Sequence, residues 1–420
     1  MLNTMTTHPG DAVAAALLER YQGVRADSLF LTAPLSAEDQ IIQSMPDTSP
    51  SKWHLAHTTW FFEEFVLAQN LPAYERFHSD FSYLFNSYYN SVGNMHPRPQ
   101  RGLLSRPPLS AVHRYREHVD AAMQELFDRD LLDGDLAALV LLGTHHEQQH
   151  QELILTDIKH VLSCNPLMPL YTDCHPPRAD SSPMEFMSGQ EGPVEIGYQG
   201  DGFHYDNEGP RHTVWLHPHA LANRLVTNGE YRAFIEDGGY RQATLWLSDG
   251  WSKIREEGWT RPLYWSDDLE REFTLHGEQT LDPHRPVCHL SYYEADAFAR
   301  WAGARLPTEA EWESAVADRT CPSLLRDDDW LHPRSPREPG DSQFYGQVWE
   351  WTASAYSAYP GYAPAPGAVG EYNGKFMCNQ LVLRGGSCVT PFDHIRPSYR
   401  NFFYADARWQ FSGLRLARDL

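Results

Sequence analysis

A change of pattern near residue 165 constrains this chain more than any other feature. Before it, apolar residues recur at helical spacing in long runs. After it, Gly, Trp and short β-type runs alternate with brief helical stretches. One core cannot serve both patterns, and 420 residues exceed what a single core ordinarily fills. The expectation is a two-domain α+β protein, helical first and mixed second.

In the first part, residues 11–31 carry Val13, Leu17, Leu18 and Tyr21 on one helical face, and residues 53–69 repeat the pattern with Ser49 or Ser51 as the cap. Further helices are predicted over 109–128 and 134–162, which together make a four-helix bundle over residues 10–165. The connection 72–108 is long for a bundle, and such loops are usually functional. Pro166, Pro169, Pro176, Pro177 and Pro183 punctuate a linker over 166–192. Residues 193–420 read as a loop-rich α+β domain, with strands at 194–196, 212–216 and 381–384, clear helices over 227–236 and 292–302, and a third over 308–317.

Composition narrows the partners. Lys and Arg number 34 against 56 Asp and Glu, a formal charge of −22 that repels phosphate backbones and anionic membranes. Nucleic acid and anionic membranes are therefore not the expected partners, though charge alone identifies no substrate. No apolar run reaches the ~18 residues that a membrane helix needs. Residues 1–10 lack the basic and apolar blocks of a signal peptide, so a cytoplasmic protein is expected. Cys164, Cys174, Cys288, Cys321, Cys378 and Cys388 are dispersed without a CxxC pair and read as free thiols.

The chemistry-bearing feature is His146-Glu147-Gln148-Gln149-His150. Two histidines at i and i+4 project from one helix face and can chelate one ion. The string also fits the H-E-x-x-H signature of zinc proteases. The metzincin form, however, needs Gly and His downstream, where this chain has Leu153 and Thr156. His160 lies ten residues beyond His150, ~15 Å along the helix, too far to close a site. The better third ligand is His57, on another helix of the bundle. Three neutral imidazoles with open positions suit Fe(II), Zn(II) or Cu(II). His54, His145 and His160 are read as surface residues or as supports around the ligands.

On these residues the chain resembles the sulfoxide synthases of ergothioneine biosynthesis, the EgtB family. The blocks that carry the likeness are Ser49-Pro50-Ser51-Lys52-Trp53-His54-Leu55-Ala56-His57-Thr58-Thr59-Trp60-Phe61 and the run from His146 to Glu152. Both look like the family's iron-binding helices in a DinB-like bundle. The resemblance implies Fe(II) held by His57, His146 and His150.

Stretches in the second half resemble the formylglycine-generating-enzyme type of C-type-lectin-like fold: 226–231, 305–313, 346–352, 384–387 and 413–417. The reactive cysteines of those enzymes have no evident counterpart here, and Cys388 stands where many relatives carry Trp, so a sulfatase-activating role is rejected.

The resemblance implies O2-dependent joining of a cysteine-type thiol, cysteine or γ-glutamylcysteine, to the imidazole C2 of hercynine. It gives Tyr89, or its neighbour Tyr88, as proton donor. Gln149 would contact hercynine, Asn401 would hold its carboxylate, and Phe402 and Phe403 would face its trimethylammonium group. Some relatives have Trp-Asp at those two positions. Arg98 and Arg101 are candidates for the thiol donor's carboxylate. Two other activities fit much of the same pattern: a selenoneine synthase using hercynine and a selenosugar, and a DinB-type metal-dependent thiol transferase.

Overall fold

Helix signals in the first part lead directly to the observed elements. The computed structural model describes residues 9–174, 180–317, 319, 330–336 and 342–420. The chain forms two compact units, residues 1–164 and 165–420. In the first, the long helices are α1 (Pro9–Thr32), α2 (Ser51–Phe61), α3 (Leu109–Asp128) and α4 (Gly134–Ser163). Asp133 caps α4 by accepting from the Leu136 N–H at 2.8 Å.

On α3 the buried set is Val112, Tyr115, Arg116, Val119, Met123 and Leu126, a helical stripe that faces the core. All eleven residues of α2 are buried, so this helix runs through the middle of the unit. Gly143 permits its close approach to α4, because a Cβ there would meet the Phe61 ring at 2.9 Å and the ring of the next residue, Phe62, at 2.5 Å.

Where the sequence predicts one helix over 53–69, α2 gives way to a π-helical stretch, Phe62–Leu67, followed by a last short turn. Inside that stretch Glu63 is buried and accepts from the Tyr74 and Tyr115 hydroxyls at 2.8 and 2.6 Å and from the Phe77 N–H at 3.0 Å. These tertiary bonds offset the poorer geometry of π winding, and no local sequence pattern announces them.

The second unit is built from short strands. They are β1 (Phe186–Ser188), β2 (Gly192–Ile196), β3 (His212–Leu216), β4 (His219–Ala222), β5 (Arg271–Thr274), β6 (Gly277–Thr280), β7 (Trp349–Ala355), β8 (Gln380–Arg384), β9 (Asn401–Tyr404), β10 (Ser412–Gly413) and β11 (Ala417–Asp419). Sheets of order β10-β7-β8-β9 and β1-β4-β11 stand beside two separate two-stranded antiparallel sheets, β2–β3 and β5–β6. Helices α5 (Asn228–Glu236), α6 (Ser248–Glu256), α7 (Tyr292–Trp301) and α8 (Glu309–Val316) complete it. Reciprocal capping boxes start three of them: Thr227 with Glu230, Ser291 with Glu294, and Thr308 with Glu311.

Two differences from the sequence reading stand out. Phe186–Ser188, inside the stretch expected as linker, pairs antiparallel with β4. A three-residue strand shows no alternation that local pattern could reveal. Helix α6 was also not anticipated, because only Gly250 and Ile254 of it are buried and its apolar face is thin. Part of the linker expectation (175–179) and Cys321 lie outside the described residues. The other five cysteines form no disulfide among the described residues. Among the described residues, no helix is long and apolar enough to cross a membrane.

Candidate metal centre

His57 is presented by α2, and His146 and His150 by adjacent turns of α4. One nitrogen from each ring lies within 4.8 Å of the others. His57 Nε2 and His146 Nε2 are 3.2 Å apart. Two nitrogens each about 2.1 Å from one ion stand about 3.0–3.4 Å apart for bond angles between about 90° and 110°. The observed spacing fits shared coordination.

Burial acts first on all three rings. It holds His57 well below the usual imidazole range, with neighbouring His146 adding to the effect. His146 is pulled down to about 4 by burial. His150 is also held well below the usual range, by burial and then by His146 and His57. Neutral rings keep the lone pairs that a metal needs.

The ring nitrogens facing away from the centre are held differently. His57 Nδ1 donates to the Phe85 carbonyl at 2.6 Å, which leaves Nε2 as its ligand atom. Trp53 and Trp60 flank the same ring, stacked at centroid distances of 4.6 and 5.5 Å. They stand four residues before and three residues after His57, so one helix supplies both slabs of the sandwich. His150 Nδ1 meets His54 Nδ1 at 2.7 Å. His146 Nδ1 is buried without a hydrogen-bond partner.

Glu147 settles the protease comparison. It points away from the three nitrogens and is fully buried, bonded to Arg25 at 3.1 Å and Arg116 at 2.9 Å. Burial alone would raise its carboxyl, but the two guanidiniums outweigh that and lower it to about 2. A carboxylate so held cannot serve as general base at the metal, the task that H-E-x-x-H chemistry assigns to it.

The long loop 72–108 brings several predicted residues to the same unit. Tyr89 is buried with its ring against Trp60 and Phe65, at centroid distances of 5.7 and 5.1 Å. Tyr88 is half-buried with a left-handed backbone (φ 67°), and its hydroxyl accepts from Arg98. Arg98 also donates to the Asp47 carbonyl.

Arg101 is buried and lies 3.4 Å over the Trp53 ring, continuing the column Trp53–His57–Trp60. Its terminal nitrogens donate to Ser49 Oγ at 2.9 Å and Ser87 Oγ at 2.8 Å, while Nε has no partner. It forms no ion pair among the described residues. Burial lowers it to about 9, an effect that Tyr88 opposes and Arg98 reinforces. Gln149 is half-buried on α4. His145 contacts Arg20, and His160 contacts Ser44, both away from the three ligand nitrogens.

Asn401, Phe402 and Phe403 lie on β9 of the second unit, paired with Leu383, Val382 and Leu381 of β8. Successive strand residues face opposite sides. Phe402 stacks on Tyr356 at 4.1 Å, whereas Phe403 packs edge-on against Trp409 at 5.8 Å. The expectation that both phenylalanines face one cation is therefore corrected: Asn401 and Phe403 share a face, and Phe402 belongs to the other.

The residues that sequence reasoning missed or undervalued are Trp53, Trp60 and Asp157. Helical spacing could have indicated all three. The tryptophans flank His57 by one turn on each side, and Asp157 follows His150 by two turns.

Residues 174–323 and 335–420 match the sulfatase-modifying factor enzyme 1-like domain family. The chain is 32% identical over 415 residues to the hercynine oxygenase of Mycolicibacterium thermoresistibile, covering 89% of this chain and 88% of that protein. It is 31% identical over 411 residues to the hercynine oxygenase of Mycolicibacterium smegmatis, covering 90% and 93%. A formylglycine-generating enzyme from Thermomonospora curvata is 30% identical over 272 residues, covering 52% of this chain and 88% of that enzyme.

Proposed function

This chain belongs to the hercynine oxygenase family, its second half being a sulfatase-modifying factor enzyme 1-like domain, and from that premise we propose the following reaction. The thiol of cysteine or γ-glutamylcysteine is joined to the imidazole C2 of hercynine in ergothioneine biosynthesis. The thiol S–H and the C2–H are lost, one O2 is consumed, one oxygen stays on sulfur as the sulfoxide and the other leaves as water. The observation that carries this reading is the set of buried His57 and His146 with half-buried His150, their nitrogens within 4.8 Å of one another.

Iron(II), when bound there, supplies open positions and redox chemistry toward O2. The chain's own residues do the rest. Trp53 and Trp60 fix the His57 ring and exclude water from that side of the site. Tyr89 gives the proton that the reduced oxygen requires, with Tyr88 as the neighbouring alternative. The packing of Tyr89 on Trp60, which stacks on His57, supports Tyr89. Arg101 supports recognition of the thiol donor's carboxylate, since it is a buried cation with no carboxylate in ion-pair contact among the described residues. Arg98 serves as its partner in that task. Within the helical unit, Gln149 is the residue proposed to contact hercynine.

The test is direct. Anaerobically purified protein is loaded with Fe(II), given hercynine with cysteine, γ-glutamylcysteine or a selenosugar, and exposed to O2, with products read by mass. A sulfoxide with stoichiometric O2 uptake is expected from one of the thiols. A product only from the selenosugar would make the chain a selenoneine synthase. No C–S product and no O2 uptake with any donor would sink the reading. In the same assay Tyr89→Phe is expected to impair sulfoxide formation more than substrate binding; unchanged turnover would move the donor to Tyr88.

A further inference from the structure

His54 lies three residues before His57 and takes no part in the ligand set, yet it is buried at the back of it. Its Nδ1 is 2.7 Å from His150 Nδ1, and its Nε2 is 3.1 Å from Asp157 Oδ2. Asp157 is itself buried, two helical turns beyond His150 on α4. Its Oδ2 also accepts the Ser49 N–H at 2.8 Å, which ties it to the residue two places before α2.

The hydrogen-bond roles along this row can be ordered from one end. Asp157 Oδ2 accepts from Ser49, so His54 Nε2 must be the donor to it. A neutral imidazole that donates from Nε2 accepts at Nδ1. His150 Nδ1 must then carry its proton and donate to His54, and His150 Nε2 is left with the free lone pair. The opposite order would put the proton on His150 Nε2 and remove it as a ligand.

We infer that Asp157 and His54 are positioning residues: through two hydrogen bonds in series they fix the tautomer and ring orientation of His150 and make its Nε2 available to the metal. The three ligands then differ in kind. His57 is set by a backbone carbonyl, His150 by this side-chain relay, and His146 by packing alone at its outer nitrogen. Only the relay can be cut by substitution without touching a ligand. Partners of this kind typically alter metal affinity about 10–100-fold.

The inference rests on the three-histidine site proposed above, and the experiment separates the two. The full chain is titrated anaerobically with Co(II), reading the visible ligand-field bands and competition with a chromophoric chelator. Wild type is expected to take up one ion, and His146→Ala to lose it. If wild type takes up none, the site itself is refuted, whatever the relay does.

Given wild-type binding, His54→Ala and Asp157→Ala should each weaken affinity about 10–100-fold. The double variant should be no weaker than His54→Ala, because one broken link already opens a series. Asp157→Asn keeps an oxygen where Oδ2 stands and should bind within about threefold of wild type, about 0.7 kcal/mol.

A folded His54→Ala that binds as wild type would overturn the inference. So would losses that multiply in the double variant, or an Asp157→Asn as weak as Asp157→Ala. Folding is checked by circular dichroism. If His54→Ala does not fold, the Asp157→Ala and Asp157→Asn pair decides the matter alone. A role confined to packing would lower thermal stability in these variants and leave the Co(II) bands and affinity unmoved.

Discussion

Glu147 in the helical unit and Glu350 in the second unit are both fully buried and both face arginine, yet their carboxyls shift in opposite directions. Glu147 meets two guanidiniums, Arg25 and Arg116, and falls to about 2 despite its burial. Glu350 meets one, Arg415, in a two-point contact at 2.8 and 3.0 Å, and burial wins, so its carboxyl rises. Glu309 repeats the first case: Arg384 at 3.1 Å and Arg400 at 2.9 Å bring it down. At these three sites the carboxyls faced by two guanidiniums fall and the one faced by a single guanidinium rises.

The consequence is local to function. The doubly held Glu147 fixes the rotation of α4, so that His146 and His150 face inward while the intervening carboxylate stays out of the site. Arg400, in the second doubly held cluster, immediately precedes Asn401 and anchors the start of β9.

The largest effect is expected from breaking the stronger cluster. Arg116→Leu leaves the buried Glu147 with a single guanidinium, which pushes its carboxyl up as at Glu350, and should cost about 3–5 kcal/mol in the helical unit, as breaking a buried pair does. Segment-resolved hydrogen exchange reads this, and a loss below about 1 kcal/mol would show that one guanidinium suffices.

Arg415→Leu should cost less, about 1–3 kcal/mol in the second unit, because burial already raises the Glu350 carboxyl and, once unpaired, it can take up a proton and leave only an unpaired neutral group. An equal or larger loss than Arg116→Leu would remove the distinction.

The pH dependence sharpens it further. Glu147, depressed from 4.5, contributes stability that is present above that value and is lost as pH falls toward about 2. Glu350, raised from the same 4.5, contributes stability that is present below 4.5 and is lost as pH rises through its folded value. The stability of the parent minus that of Glu147→Gln should therefore grow with pH, and the matching difference for Glu350→Gln should shrink. Slopes of the same sign would contradict the comparison.

The smallest effect is on the metal. Glu147→Gln should change Co(II) affinity less than about threefold, since the carboxylate does not face the site. A tenfold loss would return Glu147 to the metal and reopen the protease-like reading.

How much of this was legible in advance depends on the range of each interaction. The pair His146 and His150 follows from the pitch of one helix, and the capping boxes at Thr227, Ser291 and Thr308 follow from spacings of three. Phe402 and Phe403 were misjudged because adjacency in sequence suggests a shared surface, whereas a strand separates neighbours onto opposite faces. Asp157 went unnoticed because a buried acid on a helix looks like any other polar position until its partner is known. That partner, His54, sits 103 residues away.

The sequence by itself determined the break between helical and mixed halves and the residue types able to hold a metal, because periodicity and ligand chemistry are local properties. Only the tertiary structure decided which way Glu147 points, which nitrogen of His150 is free, and that Arg101 stacks in line with Trp53 and His57. Each depends on groups that the chain brings together from distant positions: Arg25 and Arg116 around Glu147, Asp157 behind His54, and the loop carrying Arg101 against α2. Buried charges and proton positions are set by whichever partners arrive, and that is a property of packing.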